Sequence, residues 1–136
     1  MRGDTAAAEA IKVVTRAHKT VIWERTRHTQ WLRHALREDF PAALEAFEDL
    51  DAPDTLELLT RAPDPASAAR LTITQITAAL TRARRRDIAE KATRIQTVLR
   101  AEQLGQPAVI TAAYAATTRA TAAVLQTLDE QVKVLA

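Results

Sequence analysis

Apolar positions along this chain recur at spacings of three and four, the repeat of a helix face rather than of a strand. The clearest run lies in residues 4–38. There Ile11, Val14, His18, Val21, Arg25, His28, Leu32 and Ala35 follow one another at alternating spacings, with no proline or glycine in the stretch. This is a heptad seam, the pattern of one helix lying along another. At 1.5 Å per residue it predicts a helix of roughly 50 Å. His18, Arg25 and His28 interrupt the apolar line, so the seam is wet in places or meets another molecule. A second long unbroken run covers 107–135. Its repeat is Ile110, Tyr114, Thr117, Thr121, Val124, Leu128, Gln131 and Leu135. The two runs predict an all-α fold in which two long antiparallel helices form a coiled-coil hairpin. A small multi-helix head, residues 40–105, is inserted at its tip, and residues 1–136 form a single helical domain.

Breakers divide the head. Asp4 is the expected N-cap of the first helix. That helix should stop before Phe40-Pro41, because a residue preceding proline avoids the α region. Pro41 and Pro53 open short helices over about 41–48 and 53–60, and Pro63-Asp64-Pro65 is the strongest break in the chain. Asp64 can cap a single turn, about 65–69. Thr72 with Gln75, and Asp87 with Glu90, read as capping boxes opening two further helices. The second of these carries Ile88, Ala92, Ile95 and Leu99 on one face and ends at Leu104-Gly105-Gln106-Pro107, with Gly105 as its C-cap.

Composition supports helices with thin seams. The 136 residues include two glycines, two phenylalanines and one tyrosine, amid much alanine, leucine, threonine and arginine. Alanine buries little apolar area, so stability should depend on contact length or on a second copy of the chain. The absence of cysteine excludes disulfides and thiolate chemistry and fits a reducing cytoplasm. No apolar run approaches the roughly 18–20 residues of a membrane span, and no signal core follows the N-terminus. The expected location is the cytoplasm.

Net charge is only +2, but it is segregated. Lys12 to Arg37 is basic, with Glu24 as its one acid. Glu38 to Asp64 is acidic, with Arg61 as its one base. Arg70 to Arg100 is basic again. Two basic stretches flanking an acidic insert can neutralise that insert or bind nucleic acid. The densest cluster is Arg82, Arg84, Arg85, Arg86, Lys91 and Arg94, and the first helix adds Arg25, Arg27, Arg33 and Arg37. These ten are the candidate phosphate contacts. No helix-turn-helix pattern supports readout of base edges.

Other constellations carry little chemistry. His18, His28 and His34 lack metal-ligand spacing. Ser67 sits in a proline-bounded turn without a neighbouring histidine. The carboxylates of 38–64 are dispersed, and two isolated glycines cannot build a phosphate loop. No catalytic residue, metal or cofactor is expected, nor a small-molecule substrate. Trp23 and Trp31 are eight residues apart and share one helix face. They either pack against the head or a neighbouring helix, or anchor a dimer. The candidate dimer contacts are Trp23, Trp31, Leu32, Val124, Leu128 and Leu135.

Specific runs add a resemblance. The stretch from Trp23 to Phe47, with its Leu32-Arg33, Leu36-Arg37-Glu38 and Pro41-Ala42-Ala43-Leu44 steps, resembles the central region of bacterial insertion-sequence transposases of the DEDD type, the insertion sequence 110 family. The segments 50–65 and 92–104 are similar to that family as well, so the resemblance covers nearly the whole chain. It implies a helical, coiled-coil middle region between an acidic RuvC-like nuclease domain and a serine-bearing domain. Such a region supports dimer assembly and helps hold DNA and a guide-like RNA. No catalytic motif of the family falls in this chain. The expectation is therefore a non-catalytic assembly region of a DNA transposase, homodimeric, touching nucleic-acid phosphates through basic helices. The alternatives are a free-standing nucleic-acid-binding module and, more remotely, a metal-dependent nuclease.

Overall fold

In the computed structural model, which describes residues 2–136 and side chains from residue 5 onward, every regular element is helical. The order is α1 (Arg2–Asp39), α2 (Pro41–Ala46), α3 (Pro53–Arg61), α4 (Pro65–Ala69), α5 (Ile73–Arg82), α6 (Ile88–Arg100) and α7 (Ala108–Leu135). The cap expected at Asp4 falls among side chains outside the described residues. The prolines act as the sequence predicts: Pro41, Pro53 and Pro65 each occupy the first turn of a helix, where a missing N–H costs nothing. Asp64 Oδ1 accepts from the Ser67 amide at 2.8 Å. Thr72 and Gln75 form the full capping box, with bonds of 3.1 and 3.0 Å.

The two long helices run antiparallel against each other. Thr111 Oγ1 donates to Asp39 Oδ1 at 3.1 Å near one end, and Arg25 Nη1 donates to Asp129 Oδ1 at 3.4 Å further along. Gln106 Nε2 closes the near end by donating to the Glu38 carbonyl at 2.7 Å, a group that the end of α1 leaves without a helical partner. The head does not sit at the tip as expected. It folds back along the pair, so that α3 lies beside α7 and Arg119 Nε donates to the Thr60 carbonyl at 3.1 Å. One contiguous core results. Leu32, Leu36 and Phe40 from α1 and Ala122 and Leu125 from α7 join Leu56, Leu59, Ile76, Leu80, Ile95 and Leu99 from the head.

The inner line of α7 also differs from its expected seam. Thr118, Ala122 and Leu125 are buried, whereas Thr117, Val124 and Gln131 face out. The short side chains of this helix left several faces nearly equal in apolar character, and packing against α3 as well as α1 chose among them. By length and composition α7 reaches the threshold of a membrane-crossing helix, contrary to the sequence expectation. Its Arg119 and Asp129 are nonetheless bonded to α3 and α1.

Two further expectations are corrected around α6. Asp87 precedes the helix in the left-handed region, φ 51°, and its side chain makes no cap bond, so the second capping box does not form. The helix ends at Arg100, four residues before Leu104, with Ala101 extended. Gly105 lies in the following connection and caps nothing, its Cβ position facing open space.

Candidate functional site

The corner between α5 and α6 gathers the densest basic cluster. Helix α5 closes with the Arg84 amide on the Thr81 carbonyl at 3.0 Å and the Arg85 amide on the Leu80 carbonyl at 3.0 Å. This is the Schellman arrangement, and Arg84 takes its left-handed position at φ 57°, where glycine is usual. Two left-handed residues, Arg84 and Asp87, thus turn the chain within four positions and splay the arginines apart.

Part of the cluster is used internally. Arg85 makes two hydrogen bonds to Asp54, at 3.1 and 3.2 Å, and the Asp54 side chain is only 8 % exposed. Asp54 stands in the first turn of α3, where the helix dipole also favours its charge. Arg82 meets Glu57 twice, at 2.7 and 2.6 Å. Both guanidinium groups are held above their ordinary pKa, chiefly by these hydrogen bonds. Arg94 donates to the carbonyls of Glu45 and Ala46 at 3.4 and 3.0 Å, where α2 ends. A cleft of about 30 Å³ lies among Glu48, Asp49, Asp54, Arg85, Lys91 and Arg94, room for little more than a water. The Arg84 and Arg86 side chains stay exposed, with no hydrogen bond or ion pair among the described residues, and Lys91 is half-buried beside the cleft.

On α1, Arg25 lies between Asp129, at 3.4 Å, and Asp51, at 4.0 Å. Burial raises the Asp129 carboxyl above its usual range, against the opposing pull of Arg25. His28 is mostly buried, with Nδ1 2.8 Å from the Glu24 carbonyl. Arg33 and Arg37 are exposed, and their side chains have no hydrogen bond or ion pair among the described residues. Arg27 lies between the two indoles, 5.3 Å from the Trp23 ring centroid and 5.1 Å from that of Trp31. Neither tryptophan packs against the head: Trp23 is 62 % and Trp31 50 % exposed.

The other candidate contact residues divide. Leu32 is fully buried in the chain's own core, which corrects its reading as a surface for a second copy. Val124 is exposed, while Leu128 and Leu135 are half-buried along the helix pair. A surface that sequence reasoning had placed inside the seam appears at the start of α1. Residues 5–16 are all exposed, among them Ile11 at 66 %, Val13 and Val14. Among the described residues no three of His, Asp and Glu converge to hold a metal ion.

The geometry defines a helical scaffold with charged and aromatic surfaces. Sequence comparison places it beside one region of an insertion-sequence transposase, in line with the resemblance read from Trp23 to Phe47. The relative is the "Mini-circle putative transposase for IS117" of Streptomyces coelicolor, 40 % identical over 112 residues, which cover 78 % of this chain. The match covers 27 % of that protein, so the chain spans about a quarter of the length of its curated relative. No family model matches the chain, and no solved structure matches it.

Proposed function

We propose that the chain is a non-catalytic assembly region of a DNA transposase, acting in the cytoplasm as a homodimer. The observation that carries this reading is the projecting start of α1. With Asp39 opposite Thr111 and Arg25 opposite Asp129, α7 ends roughly level with residues 18–20 of α1. The helix before that point is exposed at every residue from Ala6 to Arg16. It nevertheless continues the same seam, with Ile11 and Val14 exposed on it. An apolar line on an exposed stretch of helix suits a second helix of the same kind. Sedimentation equilibrium at micromolar concentration should return a dimer, and Ile11→Asp with Val14→Asp should return a folded monomer. A compact monomer for the unaltered chain refutes the assembly role.

A second reading is favoured by the exposed arginines without acidic partners, Arg33, Arg37, Arg84 and Arg86. They suit contact with the phosphates of DNA or of a guide-like RNA. Affinity for either should then fall steeply as salt rises. Absence of binding at low salt rules this contact out.

A further inference from the structure

The outer face of α1 joins exposed aromatic rings to unpaired cations. Trp23, Arg27 and Trp31 stand at successive spacings of four and therefore form one column. Arg27 ties the rings together from between them, and the edge of His28 meets Trp31 with the centroids 4.8 Å apart. Both indoles remain half or more exposed. Large aromatic rings left largely in solvent contribute little to this chain's own packing. Cations extend the column on its N-terminal side. Arg16 and Lys19 stand two turns and one turn before Trp23 on the same face, both exposed, whereas beyond Trp31 the face continues to buried Ala35 and exposed Glu38. Glu24 is the one acid between Arg16 and Arg37, and it is engaged by Arg27 at 3.3 Å.

We infer that this column is a binding platform for single-stranded nucleic acid, whose unpaired bases stack on Trp23 and Trp31 while its phosphates lie along the flanking cations. The inference rests on the nucleic-acid reading above and deepens it, since cations alone would hold a duplex equally well. Indole faces and guanidinium planes are what unstacked bases lie on, and a duplex keeps those base faces covered. A second copy of the chain is a poorer occupant. Two such columns facing each other in parallel would bring Arg16 and Lys19 against their own counterparts, and like charges across an interface disfavour it. An apolar protein surface would leave the same cations without partners.

The chain has only these two tryptophans, so their fluorescence reports the platform directly. The full chain is titrated at low salt with a 20-nucleotide oligo(dT), an oligo(U) of the same length, and a DNA duplex. The single strands should quench the indole emission and bind more tightly than the duplex. Comparing oligo(dT) with oligo(U) distinguishes DNA from RNA as the source. Trp23→Ala and Trp31→Ala should each weaken single-strand binding about 10-fold, leave the salt dependence unchanged, and be rescued in part by Phe. Arg16→Ala with Lys19→Ala should instead reduce the salt slope. Circular dichroism checks that the variants fold, which the exposure of both rings favours. Salt-dependent binding without quenching, indifferent to the tryptophans and equal for duplex and single strand, overturns the platform and leaves phosphate contact standing. Absence of all binding overturns both, and tryptophan variants that change only the sedimentation mass overturn the platform in favour of a dimer contact.

Discussion

Two arginine–carboxylate pairs anchor the α5–α6 corner to α3, and their geometry alone ranks them in the wrong order. Arg82 meets Glu57 at 2.7 and 2.6 Å, while Arg85 meets Asp54 at the longer distances of 3.2 and 3.1 Å. Burial reverses the ranking. The Arg82 side chain is 60 % exposed, so water replaces its partner at little cost and the pair should contribute nothing measurable. Asp54 is nearly inaccessible, and removing Arg85 would strand its carboxylate. Breaking a fully buried pair costs about 3–5 kcal/mol. The Arg85 side chain is one-third exposed and the dipole of α3 still favours the charge, so we expect about 2 kcal/mol. The substitutions are Arg85→Met and Arg82→Met, which keep the aliphatic stem and remove the charge. Urea unfolding followed by helical circular dichroism at 222 nm is the assay, since both indoles are too exposed to report the core. With a slope near 2 kcal/mol per M, the Arg85 variant should lose about 1 M in its midpoint, while the Arg82 variant stays at the wild-type value. Equal losses, or a larger loss for Arg82, would show that bond length and not burial governs these contacts.

Three further outcomes are expected. Leu125→Ala should destabilise by about 3 kcal/mol, because Leu125 is fully buried where α7 joins the shared core. Its exposed neighbour Val124→Ala should change stability by less than about 0.5 kcal/mol, and the two urea midpoints together check the corrected face of α7. Arg84→Gly should stabilise by about 1 kcal/mol, since a left-handed Schellman position carries a Cβ penalty that glycine lacks; a lower melting temperature for this variant would refute the strain. Burial raises the Asp129 carboxyl, so the folded chain takes up a proton at a pH where the unfolded chain, with its ordinary value near 3.8, does not. Stability from this group therefore increases as pH falls through the folded value towards 3.8. Wild type should gain on Asp129→Asn as acid is added across that window, and a constant difference between their unfolding free energies would refute the shift.

Helix boundaries were legible wherever a single residue fixes the backbone. Proline cannot continue the preceding helix and suits the first turn of the next, so Pro41, Pro53 and Pro65 gave the starts of α2, α3 and α4 from sequence. Asp64 and the Thr72–Gln75 pair were legible for the same local reason. Tertiary choices were not. The Asp87–Glu90 spacing suits a capping box, but the tight corner forces Asp87 to φ 51°, away from the extended backbone a cap requires. The heptad at the start of α1 was read as half of a hairpin seam, yet α7 is about ten residues shorter than α1 and leaves Ile11 and Val14 uncovered.

The charge segregation by itself fits two roles, because neutralising the acidic insert and binding a polyanion require the same residues. The structure divides the labour by position. Arg25, Arg82 and Arg85 reach carboxylates of the insert at Asp51, Glu57 and Asp54, and Arg94 reaches the carbonyls that end α2. Those contacts hold the head against α1 and orient the corner. Arg33, Arg37, Arg84 and Arg86 make no such contact and face solvent. No local sequence rule separates Arg85 from its neighbours Arg84 and Arg86. The left-handed turn at Arg84 does so, by sending one side chain towards Asp54 and leaving the other two outside. Strain at this corner and the charge left for a partner therefore share one origin, and Arg84→Gly tests both. If it only relieves strain, stability rises and nucleic-acid affinity falls by no more than the loss of one cation. If the turn itself were to depend on Arg84, the Arg85–Asp54 pair would break and stability would fall as in Arg85→Met.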